Sequence, residues 1–180
     1  MTDHTRATRR LGSAAAVLAL AAGLAVAAPA SRARAETSSQ FEIVNLATRQ
    51  CLEVADWRTD DGAPVRQWPC TGGDNQKWVW TDNDELVNVH SGKCLEIPAY
   101  STTPGTQAGQ WHRNGGRNQV WSDAGRLHSG LRTIANVNSG LLLDVAGAST
   151  APGTPVIQWE PNHGDNQTWF YSPWPTGPHN

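Results

Sequence analysis

Beyond its first 35 residues the sequence has no sustained 3.6-residue apolar period, which excludes a fold built on helices longer than a short turn. Neither Gly-x-Ser-x-Gly nor His-Glu-x-x-His occurs, and His90, His112, His128 and His163 show no metal-ligand spacing. No catalytic residues, no metal and no cofactor are therefore expected. Positive charge is scarce too. Residues 36–180 hold nine Lys or Arg against fifteen Asp or Glu, a net charge of −6, which leaves no nucleic-acid footprint and no polybasic membrane patch.

One long hydrophobic run exists, at the start. Arg6, Arg9 and Arg10 precede an Ala/Leu/Val-rich stretch from Leu11 to Ala28, and Ala33-Arg34-Ala35 follows as a small-x-small cleavage signal, with Ala28-Pro29-Ala30 as a second choice. This pattern reads as a secretory signal peptide over residues 1–35, which places the protein outside the cell. A membrane anchor is the alternative, because the run approaches the minimum spanning length of roughly 18 residues. Thr8-Arg9-Arg10-Leu11 leaves a twin-arginine export route open. The remainder suits one domain, with no room for a second, catalytic one.

What the chain does have is an internal repeat. Gly62, Gln67-Trp68, Asn75-Gln76 and Trp78 recur at the same offsets as Gly105, Gln110-Trp111, Asn118-Gln119 and Trp121, and again as Gly153, Gln158-Trp159, Asn166-Gln167 and Trp169. Fourteen residues before each Gln-Trp stands an acid: Glu53, Glu96 and Asp144. A repeat of this length is one supersecondary unit that buries its apolar face only against its neighbours. Short alternating runs such as Phe41 to Leu46, Cys51 to Ala55, Val65 to Trp68 and Gln76 to Trp80 read as four strands per copy, about twelve in all. The copies span about 41–82, 83–128 and 129–172. Ser122 to Arg132 reads as an exposed loop, and 173–180 as a Pro-rich tail with nothing to pack.

Only three cysteines are present, and the repeat sorts them. Cys51 and Cys94 hold equivalent places, whereas the place of Cys70 is taken by Arg113 and Pro161 in the other copies. Cys51 is therefore expected to pair with Cys70 inside copy one, leaving Cys94 as a buried thiol. Three four-stranded units closing on one another point to a pseudo-threefold barrel capped by hairpins, with a propeller as the weaker alternative because blades of this length usually number at least four.

The order Cys-Leu-Glu, Gly-x-x-Val-x-Gln-Trp and Asn-Gln-x-Trp, complete in copy one and kept with one or two changes in the other copies over residues 41 to 171, resembles the ricin-B-type lectin repeat. That resemblance implies an all-β β-trefoil that binds carbohydrate, a module that many relatives carry attached to secreted glycosidases. It also implies a ligand set in each copy: Glu53, Trp68 and Asn75; Glu96, Trp111 and Asn118; Asp144, Trp159 and Asn166. The chemistry is apt, since a flat ring covers the apolar face of a pyranose while a carboxylate and an amide bond its hydroxyls. Two departures stand out. The family's Asp is kept only at Asp144, and the Gln that often sits two residues before the aromatic is here Arg66, Gly109 or Ile157. Arg66 is able to replace that Gln as a donor.

Other residues invite readings of their own. Trp78, Trp121 and Trp169 are expected in the shared core, and Gln76, Gln119 and Gln167 are expected to bond buried loop backbone. Trp57 and Tyr100, four residues past their acids, stand either as second pocket walls or as rings lying on the surface, with Ala148 in their place in copy three. The expected partners are polysaccharide or glycoconjugate sugars held by up to three shallow sites on a monomer. A trefoil acting on a protein through its loops is the rival reading. An enzyme is a weaker one, because three acids spread around a threefold axis cannot share one glycosidic bond.

Overall fold

Alternation of apolar and polar residues, broken by turns, produces three lobes of four strands. The computed structural model describes residues 39–126 and 130–173. The expected export segment, residues 127–129 of the connector and 174–180 of the tail lie outside them. Lobe one supplies β1 (Phe41–Asn45), β2 (Cys51–Val54), β3 (Val65–Trp68) and β4 (Lys77–Trp80). Lobe two supplies β5 (Leu86–Asn88), β6 (Cys94–Glu96), β7 (Gly109–Trp111) and β8 (Trp121–Arg126). Lobe three supplies β9 (Arg132–Asn136), β10 (Leu142–Val145), β11 (Val156–Trp159) and β12 (Trp169–Pro173). Helical structure among the described residues is confined to short 3-10 turns.

The first and last strands of each lobe form a closed ring. β1 pairs with β12 and β4, β4 with β5, β8 with β9, and β9 with β12, while the bridge between Glu85 and Val120 joins the outer strands of lobe two. The middle strands form three capping hairpins, β2–β3, β6–β7 and β10–β11. This all-β arrangement is a β-trefoil, and closing the ring leaves the barrel without a free edge.

The three repeat tryptophans fill its centre. Trp78, Trp121 and Trp169 are 0 % exposed, and each indole N–H donates to a β-strand carbonyl of its own lobe, Leu52, Leu95 or Leu143, at 3.0, 2.9 and 3.0 Å. Burial of so large a ring is tolerated because its one polar hydrogen is satisfied. Val65, Ala108 and Val156 are also buried and meet where the hairpins converge, with Val65 N–H donating to Ala108 O and Ala108 N–H to Val156 O, both at 2.9 Å.

Two sets of buried amides join neighbouring lobes. Gln67 Nε2 donates to Ser149 O and Ala151 O of lobe three, Gln110 Nε2 to Arg58 O and Asp60 O of lobe one, and Gln158 Nε2 to Ser101 O and Thr103 O of lobe two, all at 2.9–3.0 Å. Asn45, Asn88 and Asn136 reach to the same neighbouring lobe in each case, donating to Asn166 O, Asn75 O and Asn118 O at 3.1, 3.0 and 2.9 Å. The repeat Gly five residues before each Gln-Trp belongs to the same junctions. Gly62, Gly105 and Gly153 have φ of 82, 90 and 82°, and each lies against the Trp111, Trp159 or Trp68 ring of a neighbouring lobe. A side chain there would suffer both the backbone strain and the ring.

Cys51 and Cys70 form a disulfide 19 residues apart in sequence, and Cys94 is a free, buried cysteine whose thiol burial pushes up to about 11. In lobe two Arg113, at the place of Cys70, forms an ion pair with Glu85.

Two expectations need correction. The connector is mostly strand: Trp121–Arg126 pairs with Arg132–Asn136 across a register shift between Asp123 and Gly125. Ser122 and Asp123 are exposed, so their polarity marks the solvent face of a bulged strand. Pro173, expected in the tail, instead pairs with Phe41 as the last residue of β12.

Candidate functional site

Each capping hairpin sets an acid directly opposite the residue two places before its Trp. The register pairs Glu53 with Arg66, Glu96 with Gly109 and Asp144 with Ile157. The following 3-10 turns, Asp74–Gln76, Arg117–Gln119 and Asp165–Gln167, then bring the Asn-Gln pair onto that acid. One oxygen of every acid is thereby fixed. Gln76 Nε2 donates to Glu53 Oε2 at 2.8 Å, Gln119 Nε2 to Glu96 Oε2 at 3.1 Å, and Gln167 Nε2 to Asp144 Oδ2 at 2.8 Å. The same three Gln side chains donate to Pro69 O, His112 O and Glu160 O and accept from Thr71, Asn114 and Asn162 N–H. They hold loop backbone and orient the carboxylate at once.

Lobe three is open. Asp144, Ile157, Trp159 and Asn166 line a cavity of about 290 Å³, together with Gly147, Ala148 and Asn162. Trp159 is 43 % exposed, Asp144 only 2 %, and Asn166 Nδ2 donates to Asp144 Oδ2 at 2.8 Å. Burial raises the Asp144 pKa above the ordinary carboxylate value, against the Gln167 and Asn166 hydrogen bonds, which lower it. A carboxylate whose second oxygen has no hydrogen-bond partner among the described residues, a ring edge-supported by Gly105 and open to solvent, and an amide beside them can seat a small polyol with one apolar face.

Lobe two has the same three residue types, with Glu96 as buried as Asp144 is. Trp111 is half-buried, Asn118 Nδ2 donates to Glu96 Oε2 at 3.3 Å and to Ile97 O at 2.9 Å, and burial again raises the acid's pKa. Gly109 contributes no side chain opposite Glu96. Tyr100 is 52 % exposed at φ 54°, and its hydroxyl lies over Gly116.

Lobe one is filled by its own residue. Arg66 donates from Nε and Nη2 to Glu53 Oε1 at 3.0 and 2.9 Å and from Nη2 to Asp56 Oδ1 at 3.0 Å, and its guanidinium lies 4.4 Å from the Trp68 ring centroid. Both Glu53 oxygens are therefore taken. Asn75 Nδ2 turns to Val54 O at 3.1 Å, away from the acid. Trp57 is 53 % exposed at φ 56°, meets His90 edge-on at 5.0 Å and covers Gly73.

Sequence reasoning passed over one group that shapes all three places. Gly73, Gly116 and Gly164 open the 3-10 turns, and a Cβ there would overlap Asn75, Asn118 or Asn166 Oδ1, at 2.6 Å for Gly73. Asn75 Oδ1 and Asn118 Oδ1 are buried without a hydrogen-bond partner among the described residues. The signal was present as Gly-x-Asn-Gln at one offset in every copy.

Known proteins share this architecture. The profile of the ricin-type β-trefoil lectin domain-like family matches residues 31–111, 85–159 and 117–177. The designed threefold-symmetric protein ThreeFoil is 37 % identical with a TM-score of 0.71, over 74 % of this chain and 97 % of that one. An exo-β-1,3-galactanase of Clostridium thermocellum is 31 % identical with a TM-score of 0.73; the match spans 76 % of this chain but only 30 % of the galactanase. A ricin B-like lectin of Macrolepiota procera, solved in complex with lactose, shares the fold at 24 % identity and a TM-score of 0.61, over 74 % of this chain and 94 % of that lectin. No helix among the described residues is long and apolar enough to cross a membrane. Three lobes in register, each presenting an acid to an Asn-Gln turn, and a profile match across nearly the whole β-structure place this chain in the ricin-type β-trefoil lectin domain-like family.

Proposed function

We propose that the protein is an exported carbohydrate-binding lectin, with no catalysis, whose principal site is lobe three. The observation that carries this reading is the lobe-three cavity, where Asp144, Trp159 and Asn166 converge with one carboxylate oxygen uncommitted. Asp144 accepts from sugar hydroxyls, Trp159 covers the apolar face of the ring, and Asn166 completes the polar edge. Lobe two, through Glu96, Trp111 and Asn118, with Tyr100 as a second wall, is a lesser site. Several weak sites on one rigid monomer gain strength by avidity on a polysaccharide or glycosylated surface. The lectin of Macrolepiota procera was solved with lactose, so galactosides head the sugars to try.

Catalysis is set aside on geometry. Hydrolysis of a glycoside needs two carboxyls about 5 to 10 Å apart across one bond. Asp144 is the only acid among the described residues that line the lobe-three cavity, and in lobe one the neighbouring Glu53 and Asp56 both pair with Arg66. The test is retention of the purified protein on immobilised galactan, xylan, glucan and chitin. Retention on at least one, weakened by Asp144→Ala, is the expected result; passage through all four would sink the lectin reading in favour of a trefoil that acts on a protein.

A further inference from the structure

We propose that Arg66 is a built-in ligand surrogate that keeps lobe one closed to neutral sugars, so that this residue sets how many lobes work. The inference rests on the sugar reading of lobe three and extends it to a lobe that has the acid, the Trp and the Asn and yet is occupied. Arg66 uses both features a sugar would need. It takes the Glu53 oxygen left over by Gln76, and it lies on the Trp68 ring at 4.4 Å. The benzo edge of Trp68 is meanwhile packed against Gly153 of lobe three.

The position is dictated by the hairpin register. Arg66 stands directly across from Glu53, where lobe two has Gly109 and lobe three Ile157, neither of which can donate to the acid. Four groups face the guanidinium from the surrounding elements: Glu53 on β2, Asp56 on the 3-10 turn, Trp68 on β3, and Gln76 behind the acid.

Competition favours the arginine on two grounds. Its bonds to Glu53 join two opposite full charges where a sugar hydroxyl brings only a neutral donor, and Glu53 is only 4 % exposed, so losing its counter-ion leaves a buried charge. It is also tethered, with an effective concentration on the order of millimolar or more, which a weak free sugar must exceed. A neutral sugar supplies no compensation for either loss.

The test follows the indole N–H signals of Trp68 and Trp159 by NMR during titration with lactose, xylobiose, cellobiose and diacetylchitobiose. The wild type is compared with Arg66→Gly, which copies lobe two, and with Arg66→Gln, which keeps a neutral donor beside Glu53 should the glycine variant fail to fold. The expected result is that a sugar shifting Trp159 in the wild type leaves Trp68 unmoved, and that the same sugar shifts Trp68 saturably once Arg66 is replaced. A wild-type Trp68 that titrates together with Trp159 overturns the surrogate, and so does a Trp68 that stays silent in both variants while Trp159 responds. Silence of both indoles with every sugar in all three proteins sinks the sugar reading itself, and the surrogate with it.

Discussion

Lobe one and lobe three are built from the same repeat and differ in what has been done with it. Lobe one is braced: a disulfide ties Cys51 to Cys70, and Arg66 spans Glu53, Asp56 and the Trp68 face. Lobe three has Leu142, Pro161 and Ile157 at the equivalent places, and its Asp144 and Trp159 border open space. A threefold scaffold lets one copy serve stability while another keeps the site, because each lobe's hairpin contributes to the shared core whatever its outer face does. Removing the brace is the strongest way to break the comparison. Replacing Cys51 and Cys70 by Ala reopens a loop with 19 residues' separation and should cost about 3 kcal/mol of stability in the chain-entropy model. Denaturant unfolding measures that loss, and sugar retention by the folded variant should stay unchanged. A loss of retention would mean that lobe one works.

The next effect falls on lobe three. Asp144→Ala removes a charged acceptor worth about 1.5–3 kcal/mol, a weakening of roughly 10- to 150-fold in affinity. Glu53→Ala should leave affinity where it was. Ile157→Arg carries the lobe-one arrangement into lobe three, opposite Asp144 and beside Trp159, and should weaken binding on the same scale as Asp144→Ala. Calorimetric titration with lactose or another retained sugar checks all three. If Ile157→Arg binds as the wild type does, occupancy by an arginine is not what separates the two lobes. Trp159→Ala comes after these, with a loss of about 1 kcal/mol of stacking, or roughly fivefold. Trp68→Ala should lower thermal stability through its Gly153 contact and leave binding alone.

The difference between these lobes was only half legible in the sequence. Fixed offsets disclose the copies, the strands, the three core tryptophans and the Cys51–Cys70 pairing, because each of those follows from comparing one copy with another. Arg66 sits at a position where the copies disagree, and there the repeat is silent: read from the sequence the residue is a donor to ligand, and its contacts with Glu53 and Trp68 appear only in the folded hairpin. Its direction is decided by Glu53 across the hairpin, by Asp56 at φ 56° in the turn and by the Trp68 face together. The lobe junctions were hidden for another reason. Gln67 and Asn45 are equivalent to residues in every copy, but their partners lie 82 to 123 positions away in a different lobe, beyond any local pattern. The bulged strand after Trp121 failed the alternation test because its polar face is the one that composition reports.

The smallest effect is a pH dependence, and it separates binding from folding. Burial is the main cause of the raised Asp144 pKa, opposed by the bonds from Gln167 and Asn166. Sugar hydroxyls need the ionised acceptor, so lobe-three binding should decline on acidification in a window that opens above the ordinary Asp value of 3.8. The same shift has the opposite sign for stability. A carboxyl whose folded pKa is raised contributes stability that is present below the unfolded value and lost as pH rises through the folded one, so protonating Asp144 does not loosen the fold. Asp61 behaves the other way. Lys93 and His112 hold it down to about 2, so its contribution is present above the ordinary value and disappears only as pH falls through about 2. Retention should therefore fade while the circular-dichroism melting temperature is still maintained, with the Asp61 contribution failing later, at lower pH. Burial raises the Glu96 pKa too, so in a variant carrying both Asp144→Asn and Glu96→Gln the weakened binding that remains should be flat across that window. Loss of binding and of melting temperature together in the wild type, or an unchanged pH profile in the variant, would show that Asp144 is not the titrating acceptor.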